Sequence, residues 1–322
     1  MAEIQTINIG SSANDGTGDT IRAGMDKVND NFANFKIEGT NFTSSILIGH
    51  STTGTLNAAT GNTGVGIAAL DAITTGDYNT AVGNLAGTAI STGVENTIMG
   101  GLAGDALTTG SKNVAIGYLA LSTEDETDNV VAVGYGALAT QNAGTDTFNV
   151  AVGYNAGTSV TSGYRNTFLG GAAGDAITTG FENVAIGTSA LGSEDSGRRS
   201  VAIGDSALTN QNNDANNYNV AVGYHAGTSV TTGVRNILIG GLSGDALTSG
   251  SDNIAIGYQA LTTENAHGKN IAIGKDALLA LDAGADAYNV AVGYGVGASL
   301  STGVENTIIG GLAADALTIG NY

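Results

Sequence analysis

A short alternation of aliphatic and small residues returns along most of this chain. In the stretch Asn113-Val114-Ala115-Ile116-Gly117, period-2 alternation places Val114 and Ile116 on one face of a strand and Ala115 on the other. The asparagine and glycine that bracket the stretch are typical of tight or left-handed turns. The pattern therefore predicts many short strands separated by turns, with Val114 and Ile116 directed to the core and Ala115 directed away from it.

The strands recur at a nearly fixed spacing. Sixteen units follow one another, each fourth unit is slightly longer, and four units make a superrepeat, so the string at Asn79 returns at Asn149, Asn219 and Asn289. All sixteen units carry glycine at their fifth position. Each unit predicts one coil of a solenoid, with a strand, a turn, a second short apolar stretch and a glycine-containing turn back. We therefore expect an all-β protein with a parallel β-solenoid of about 16 coils, roughly 75 Å long. The units start at residues 45, 62, 79, 96, 113, 130, 149, 166, 183, 200, 219, 236, 253, 270, 289 and 306.

Composition and charge exclude several other classes of protein. The chain has 51 glycines, no proline, no cysteine and only 5% aromatic residues, which argues against collagen, a disulfide scaffold and a compact globular core. A net charge of −19 argues against binding to nucleic acid or anionic lipid. The first residues lack the features of a secretory signal, and no apolar stretch is long enough to span a bilayer. We therefore expect assembly in a cytoplasm and no membrane insertion.

The repeat also predicts an oligomer. One coil buries too few aliphatic side chains to offset the entropy lost on ordering it, so a second interface is expected. The strand position expected to face away from the core holds alanine in most coils but a large apolar residue once per superrepeat. We expect these large residues, or their immediate neighbours, to pack against other chains near a symmetry axis, and three chains are preferred because closed cyclic symmetry ends lateral growth. They are Ile98, Phe168, Leu238 and Ile308.

Residues 1–44 lie outside the repeat and are expected to form an N-terminal anchor, followed by a solenoid shaft over residues 45–322. A segment rich in turn formers precedes a short helix expected over about 18–35. Its apolar residues follow heptad spacing, which is typical of a coiled-coil seam. The helix either caps the first coil or serves for trimerisation and attachment, and its place at one end of a rod favours attachment. The apolar positions are Ile21, Met25, Val28, Phe32 and Phe35.

Two stretches of the chain resemble known families. The repeated Asn-Thr/Val-Ala-Val/Ile-Gly-Tyr motif over residues 45–320 is similar to the YadA-like head repeats of trimeric autotransporter adhesins and to related stretches of phage tail fibres. That resemblance implies a trimeric, left-handed parallel β-roll. The segment from Ile7 to Asp19, followed by Lys27 to Phe32, looks like the N-terminal segment of tailed-phage fibre and baseplate-associated proteins. That resemblance implies attachment to a virion.

Together the resemblances imply a structural fibre of a tailed-phage virion, either a tail fibre or a whisker or capsid fibre, that projects from the particle for host adsorption. Its expected partners are sister chains in a homotrimer, a tail, baseplate or capsid protein at the N-terminus, and a tip protein or host receptor at the C-terminal end. It would be extracellular in the mature particle. A bacterial surface adhesin or appendage is the alternative, and the missing secretory signal favours the phage interpretation.

No catalytic or cofactor-binding set is expected, so we expect no enzyme activity. The histidines His50, His225 and His267 lie in different coils without metal-ligand spacing, and we interpret them as surface residues. Asp105 recurs once per superrepeat after a Gly-Gly pair, which leaves calcium binding as an alternative to a turn-stabilising role. An ice-binding β-roll would need threonine ladders on every coil, and these occur in only some coils.

Longer loops come once per superrepeat, at residues 140–148, 210–218 and 280–288. Because they lie on the same side of the expected rod, they would offer a multivalent contact surface. The acidic stretch around Glu124 precedes the first of them, and we interpret it as a solvated bulge.

Overall fold

The chain folds as an all-β, parallel β-solenoid of about 15 turns. The computed structural model describes residues 35–39, 42–48 and 58–320, and the strands in these residues form one 18-stranded sheet. The strands are β1 (Phe35–Gly39), β2 (Phe42–Ile48), β3 (Ala59–Thr60), β4 (Thr63–Val65), β5 (Thr80–Val82), β6 (Thr97–Met99), β7 (Val114–Ile116), β8 (Val131–Val133), β9 (Val150–Val152), β10 (Thr167–Leu169), β11 (Val184–Ile186), β12 (Val201–Ile203), β13 (Val220–Val222), β14 (Ile237–Ile239), β15 (Ile254–Ile256), β16 (Ile271–Ile273), β17 (Val290–Val292) and β18 (Thr307–Ile309).

Successive coils stack with the period expected from the sequence. Strands β5 and β6 pair in parallel with Ala81 opposite Ile98, which is the equivalent residue of the next coil. The glycine that follows each strand is required by this stacking. A Cβ on Gly83 would lie 2.5 Å from the carbonyl oxygen of Gly100, and one on Gly100 would lie 2.6 Å from that of Gly117. Only glycine fits in this stack, and its φ of +142° at Gly83 is one that other residues rarely adopt.

The first coil is covered by an antiparallel strand. Strand β1 pairs with β2, with Ile37 opposite Ile46, while β2 pairs in parallel with β4 on its other side. Strand β1 therefore covers the backbone edge that β2 would otherwise present. Phe35, expected at the end of a helix, begins strand β1 instead; the rest of that expected helix lies outside the described residues. No helix of the described chain is long and apolar enough to cross a membrane.

The two faces of the strands are the reverse of those expected. Ala115 is fully buried, whereas Val114 and Ile116 on either side of it are only half-buried. The interior of so small a coil is narrow, so an alanine on the strand leaves room for a leucine from the following turn. Leu121 fills this space and is also fully buried.

The bulky residue of each superrepeat lies inside the chain and not on its surface. Ile98, Phe168 and Leu238 are fully buried among residues of their own chain, and Ile308 packs partly buried against the same core. Their proposed contact with other chains depended on an outward orientation, and that orientation is wrong. The structure accommodates the three fully buried residues because the turn positions beside them hold glycine in place of leucine.

A ladder of buried asparagines runs along the solenoid beside the apolar core. Asn79 Oδ1 accepts the backbone N–H of Asn96 in the next coil at 3.0 Å, and its Nδ2 donates to the carbonyl oxygen of Gly93 at 2.8 Å. The stacked asparagines are thus bonded from one coil to the next. Because such groups are buried, each bond satisfies a donor or acceptor that water cannot reach. The ladder is interrupted at Val130 and Ser200.

Candidate interaction face and buried polar sites

The outward side of the parallel sheet forms a continuous aliphatic surface, which we name the aliphatic face. It consists of the first and third residues of strands β4 to β18, such as Val114 and Ile116 of β7. At these positions the sequence holds only Val, Ile, Leu, Met and Thr. Met99 is 42% exposed and Leu169 46% exposed. The surface therefore combines aliphatic side chains with no charge along fifteen consecutive strands, β4 to β18.

One border of the aliphatic face carries a tyrosine in six of the fifteen coils that follow β4 to β18. Tyr118, Tyr135 and Tyr154 follow the stacked glycines of successive coils, and all three are exposed. Their rings stack, with centroids 5.6 Å apart between Tyr118 and Tyr135 and 5.4 Å apart between Tyr135 and Tyr154. Tyrosine combines a large apolar area with a polar tip, which suits the rim of an interface.

The opposite border is charged. The residue two positions before the strand is charged in nine of the fifteen strands β4 to β18, and several of these residues pair from coil to coil. Glu182 accepts from Arg199 Nε at 2.8 Å and lies 3.4 Å from Arg165 Nη1. The hydrogen bond from Arg199 holds the pKa of Glu182 below its usual value. Arg235 and Asp252 repeat the arrangement at 2.6 Å. The aliphatic face thus has a polar rim, as protein interfaces commonly do.

A second kind of site lies in the interior, where a carboxylate replaces an aliphatic core residue once per superrepeat. Glu124, Glu194 and Glu264 are fully buried. The interpretation of the stretch around Glu124 as a solvated bulge is therefore wrong for this residue. Glu124 follows Leu107 by one coil in the same core column, so its side chain points inward whatever its charge. The signal in the sequence was this spacing of one full coil from a core leucine.

A glutamine in the next coil satisfies the first two of these carboxylates. Gln141 Nε2 donates to Glu124 Oε2 at 3.1 Å, and its Oε1 accepts from Asn149 Nδ2 at 2.8 Å. The glutamine therefore links the carboxylate to the asparagine ladder where Val130 interrupts it. Gln211 joins Glu194 to Asn219 in the same way, with both distances 2.8 Å.

Burial affects the proton affinity of these acids. Removal from water raises the pKa of Glu194 above its usual value, although Gln211 and the backbone N–H of Gly197 donate hydrogen bonds that oppose the rise. Burial also raises the pKa of Asp105 and of Asp175.

The structure changes the interpretation of one histidine. His267 Nδ1 lies 3.1 Å from Glu264 Oε1, and ligand atoms of Glu264, His267 and Asp282 all lie within 4.8 Å of one another. Among the residues that the structure describes, this is the one group of three or more His, Asp or Glu side chains with such spacing. The structure thus places His267 beside two carboxylates, although the spacing along the sequence does not indicate a ligand set. His225 lies 3.9 Å from Asp205, and His50 lies outside the described residues.

The longer loops at 140–148, 210–218 and 280–288 share one pattern of exposure. In each loop the segment of five residues after the buried core position is largely exposed, as in 142–146. They recur every four coils, which corresponds to about 19 Å along the solenoid.

Comparisons with models of protein families, with curated proteins and with solved structures found no match to this chain.

Proposed function

We propose that this chain is the shaft of a homotrimeric fibre of a tailed-phage virion, and that its aliphatic face packs against the sister chains. The observation that supports this most directly is the uncharged aliphatic surface along β4 to β18. All-parallel sheets are almost always covered on both faces. Here one face is covered by the chain's own core, and the other is left to a partner.

The free energy gained by burying aliphatic side chains favours association of identical chains. Burying a Val or Ile side chain contributes about 1.5–3 kcal/mol, whereas bringing two rigid molecules together costs about 4–15 kcal/mol. A fraction of the aliphatic face is therefore enough to hold chains together. Three copies arranged around one axis would cover the face along its length and leave no edge for further growth. The resemblance of the repeats to YadA-like heads supports three chains and a left-handed coil.

The proposed role is mechanical. Hydrogen bonds between coils run along the axis of the solenoid, and the glycine stack and asparagine ladder fix each coil against the next. A trimer of such rods would be stiff and would hold its end at a fixed distance from the particle. Residues 1–44 would attach the fibre to a tail, baseplate or capsid protein. Host contact would be made through the exposed loops, through the C-terminal end, or through a tip protein carried there. The proposal requires no catalysis and no cofactor.

The trimer is tested by placing charge on the aliphatic face. We expect the wild-type chain to have the mass of three chains by light scattering and to form rods in negative-stain images. The double variant Val114→Glu with Val131→Glu should lower the mass and retain the β-sheet signal in circular dichroism. Thr145→Glu is the control, because Thr145 is exposed in a loop away from the face. A wild-type protein with the mass of one chain would disprove the trimer.

The virion role needs its own test. Antibodies raised against the solenoid should label purified phage particles from the organism that carries the gene, and genes for tail or capsid proteins should lie beside it. Labelling of the bacterial surface in the absence of phage, with secretion genes as neighbours, would support a cellular adhesin in place of a virion fibre.

A further inference from the structure

We propose that Glu264, His267 and Asp282 form a binding site for a divalent transition metal ion of the Zn²⁺ class. The site lies in the third of the three coils that carry a buried glutamate. It is independent of the fibre proposal, since it depends only on residues within one chain.

The first two ligand atoms lie close to the separation that a metal ion requires. Zinc is held at about 2.0–2.2 Å by histidine nitrogen and carboxylate oxygen, so two ligand atoms at the tetrahedral angle on one ion lie about 3.3–3.6 Å apart, a shift of a few tenths of an ångström from the distance observed here. Glu264 Oε1 and His267 Nδ1 are 3.1 Å apart. The exposed side chain of Asp282 can rotate towards them, since its ligand atom is within 4.8 Å of both.

Backbone hydrogen bonds also fix the position of the Glu264 carboxylate. Its Oε1 accepts the backbone N–H groups of Asn265 and His267, each at 3.1 Å, and its Oε2 accepts that of Ala283 at 3.3 Å. Hydrogen bonds that orient a ligand are a regular part of metal sites, because they reduce the freedom lost on binding. The carboxylate is therefore positioned before an ion arrives.

The sister coils provide an internal comparison, because they have the same backbone but different side chains. Both positions that supply additional ligands in the third coil, His267 and Asp282, are occupied by other residues in the two preceding superrepeats. Neither sister coil can present the same three ligands. The corresponding residues are Thr127 and Asn142 in the first coil, and Gly197 and Asn212 in the second.

A third difference accompanies these two. Gln141 and Gln211 donate a side-chain amide to the buried glutamates of the first two coils, but the equivalent position in the third coil is Leu281. Glu264 therefore lacks the glutamine that its counterparts bind, and in place of it has an imidazole and a second carboxylate nearby. A buried carboxylate needs compensation for its charge, and a metal ion would provide it.

Neighbouring charges do not occupy the site. Lys269 Nζ is bound to Asp286 Oδ2 at 2.6 Å, and this hydrogen bond holds the pKa of Asp286 below its usual value. Asp286 Oδ1 accepts the backbone N–H of Gly268 at 3.1 Å. The lysine is thus engaged beside the three ligands and does not pair with Glu264 or Asp282.

The ligand set indicates the class of ion. One imidazole nitrogen with two carboxylates suits zinc, nickel or cobalt, whereas magnesium and calcium prefer ligands that are all oxygen. Three protein ligands leave a position open on the exposed side, since His267 is half-buried and Asp282 exposed. The bound ion would join the turn at 264–267 to the loop that begins at Asp282, and so brace the two coils.

The test is titration of the tag-free, full-length chain with Zn²⁺ by calorimetry, in the presence of millimolar magnesium to occupy weak acidic sites. We expect one zinc ion per chain at this site. His267→Thr and Asp282→Asn introduce the residues found in the first sister coil, so the backbone should tolerate both. Each should weaken zinc binding at least tenfold, and the double variant should abolish binding at this site.

His225→Asn is the matched control, because Asn155 occupies the corresponding position one superrepeat earlier. It should retain the affinity and stoichiometry of the wild type. Circular dichroism of each variant verifies folding, and anomalous X-ray scattering at the zinc edge should place the ion beside His267. The proposal is wrong if the double variant binds zinc as the wild type does, if His225→Asn abolishes binding, or if magnesium displaces all of the zinc.

Discussion

The ring of Phe168 occupies the space that a side chain at Gly174 would need. A Cβ on Gly174 would lie 2.6 Å from Phe168 Cδ1, and one on Gly157, in the coil before, would lie 2.7 Å from Cδ2. In the next coil the sizes are exchanged, because Ala185 on the strand is buried together with Leu191 in the turn. Of these two coils, one thus takes its large side chain from the strand and the other takes it from the turn.

This relationship predicts a compensating pair of substitutions. Phe168→Ala should reduce the free energy of unfolding by about 3–5 kcal/mol, because it leaves a cavity in the core. Gly174→Leu alone should also destabilise the protein, because the leucine would overlap the ring. The double variant should recover part of the loss from Phe168→Ala. Its backbone is suitable, since φ is +58° at Gly174 and +51° at Leu191, which occupies the same position one coil later.

Urea unfolding followed by circular dichroism, at one fixed protein concentration for all variants, measures the effect. Ala185→Gly is a control for loss of a small buried side chain from the same strand position. If the destabilisation in the double variant equals or exceeds the sum of the two single values, the two residues do not share one space.

The repeat could be predicted from the sequence, whereas the direction of the side chains could not. Glycine stacks such as Gly83 on Gly100 tolerate no substitution, so the period is visible in one chain. Alternation in Val114-Ala115-Ile116 shows that the faces differ but does not say which is inside. The general expectation that larger aliphatic residues are buried gave the wrong answer, because so short a coil has little room inside it. The available signal was that a large residue at the middle of the strand, such as Phe168, is accompanied by a glycine in the turn, such as Gly174.

The buried polar sites were missed for a related reason. Glu124 lies in an acidic stretch, and such stretches are usually solvated. Its position in a core column is set by the coil period, which outweighs the local composition. The group at Glu264, His267 and Asp282 joins two coils, and the proximity of its members cannot be predicted until the stacking of those coils is known.

Replacing a buried asparagine of the ladder should destabilise the chain, whereas replacing an exposed asparagine should not. Asn96 Nδ2 donates to the carbonyl oxygen of Gly110 at 2.8 Å, and its Oδ1 accepts the backbone N–H of Asn113 at 2.9 Å. Asn96→Ala leaves both backbone groups buried without these partners, at a cost of about 1–3 kcal/mol each. Asn142→Ala, at an exposed position, should change the unfolding free energy by less than about 0.5 kcal/mol.

Urea unfolding again provides the comparison, and hydrogen exchange adds a local measurement. Exchange of the Asn113 amide should accelerate in Asn96→Ala and remain unchanged in Asn142→Ala. Equal stability of the two variants would show that the ladder contributes little.

The link between Gln141 and the ladder predicts coupling with Val130. Gln141→Leu should destabilise the chain, because Glu124 Oε2 loses a donor and Asn149 Nδ2 loses an acceptor. Adding Val130→Asn restores an asparagine to the gap and so reproduces the combination found two superrepeats later. There Asn270 Oδ1 accepts from Asn289 Nδ2 at 3.4 Å beside Leu281.

A double-mutant cycle on the unfolding free energy should therefore show favourable coupling of about 0.5–3 kcal/mol between the two substitutions. Val130→Asn alone is the required third corner of the cycle. Strict additivity would mean that the glutamine and the asparagine do not replace each other as acceptors.

The buried carboxylate of Glu194 makes stability depend on pH in a direction opposite to that of the surface ion pairs. Because burial raises the pKa of Glu194 above its usual 4.5, the folded chain holds a proton that the unfolded chain has already released. Stability from this group is therefore fully present below pH 4.5 and is lost as pH rises through the folded pKa. Asp252 contributes in the other direction, since the hydrogen bond from Arg235 lowers its pKa.

Comparing wild type with Glu194→Gln isolates the effect of the buried carboxylate, because Asp252 is common to both proteins. The unfolding free energy of the wild type minus that of Glu194→Gln should fall as pH rises above 4.5 in a series of urea titrations. A difference that stays constant with pH would mean that Glu194 is ionised in the folded chain as readily as in the unfolded one, and a difference that grows with pH would mean that it is ionised more readily.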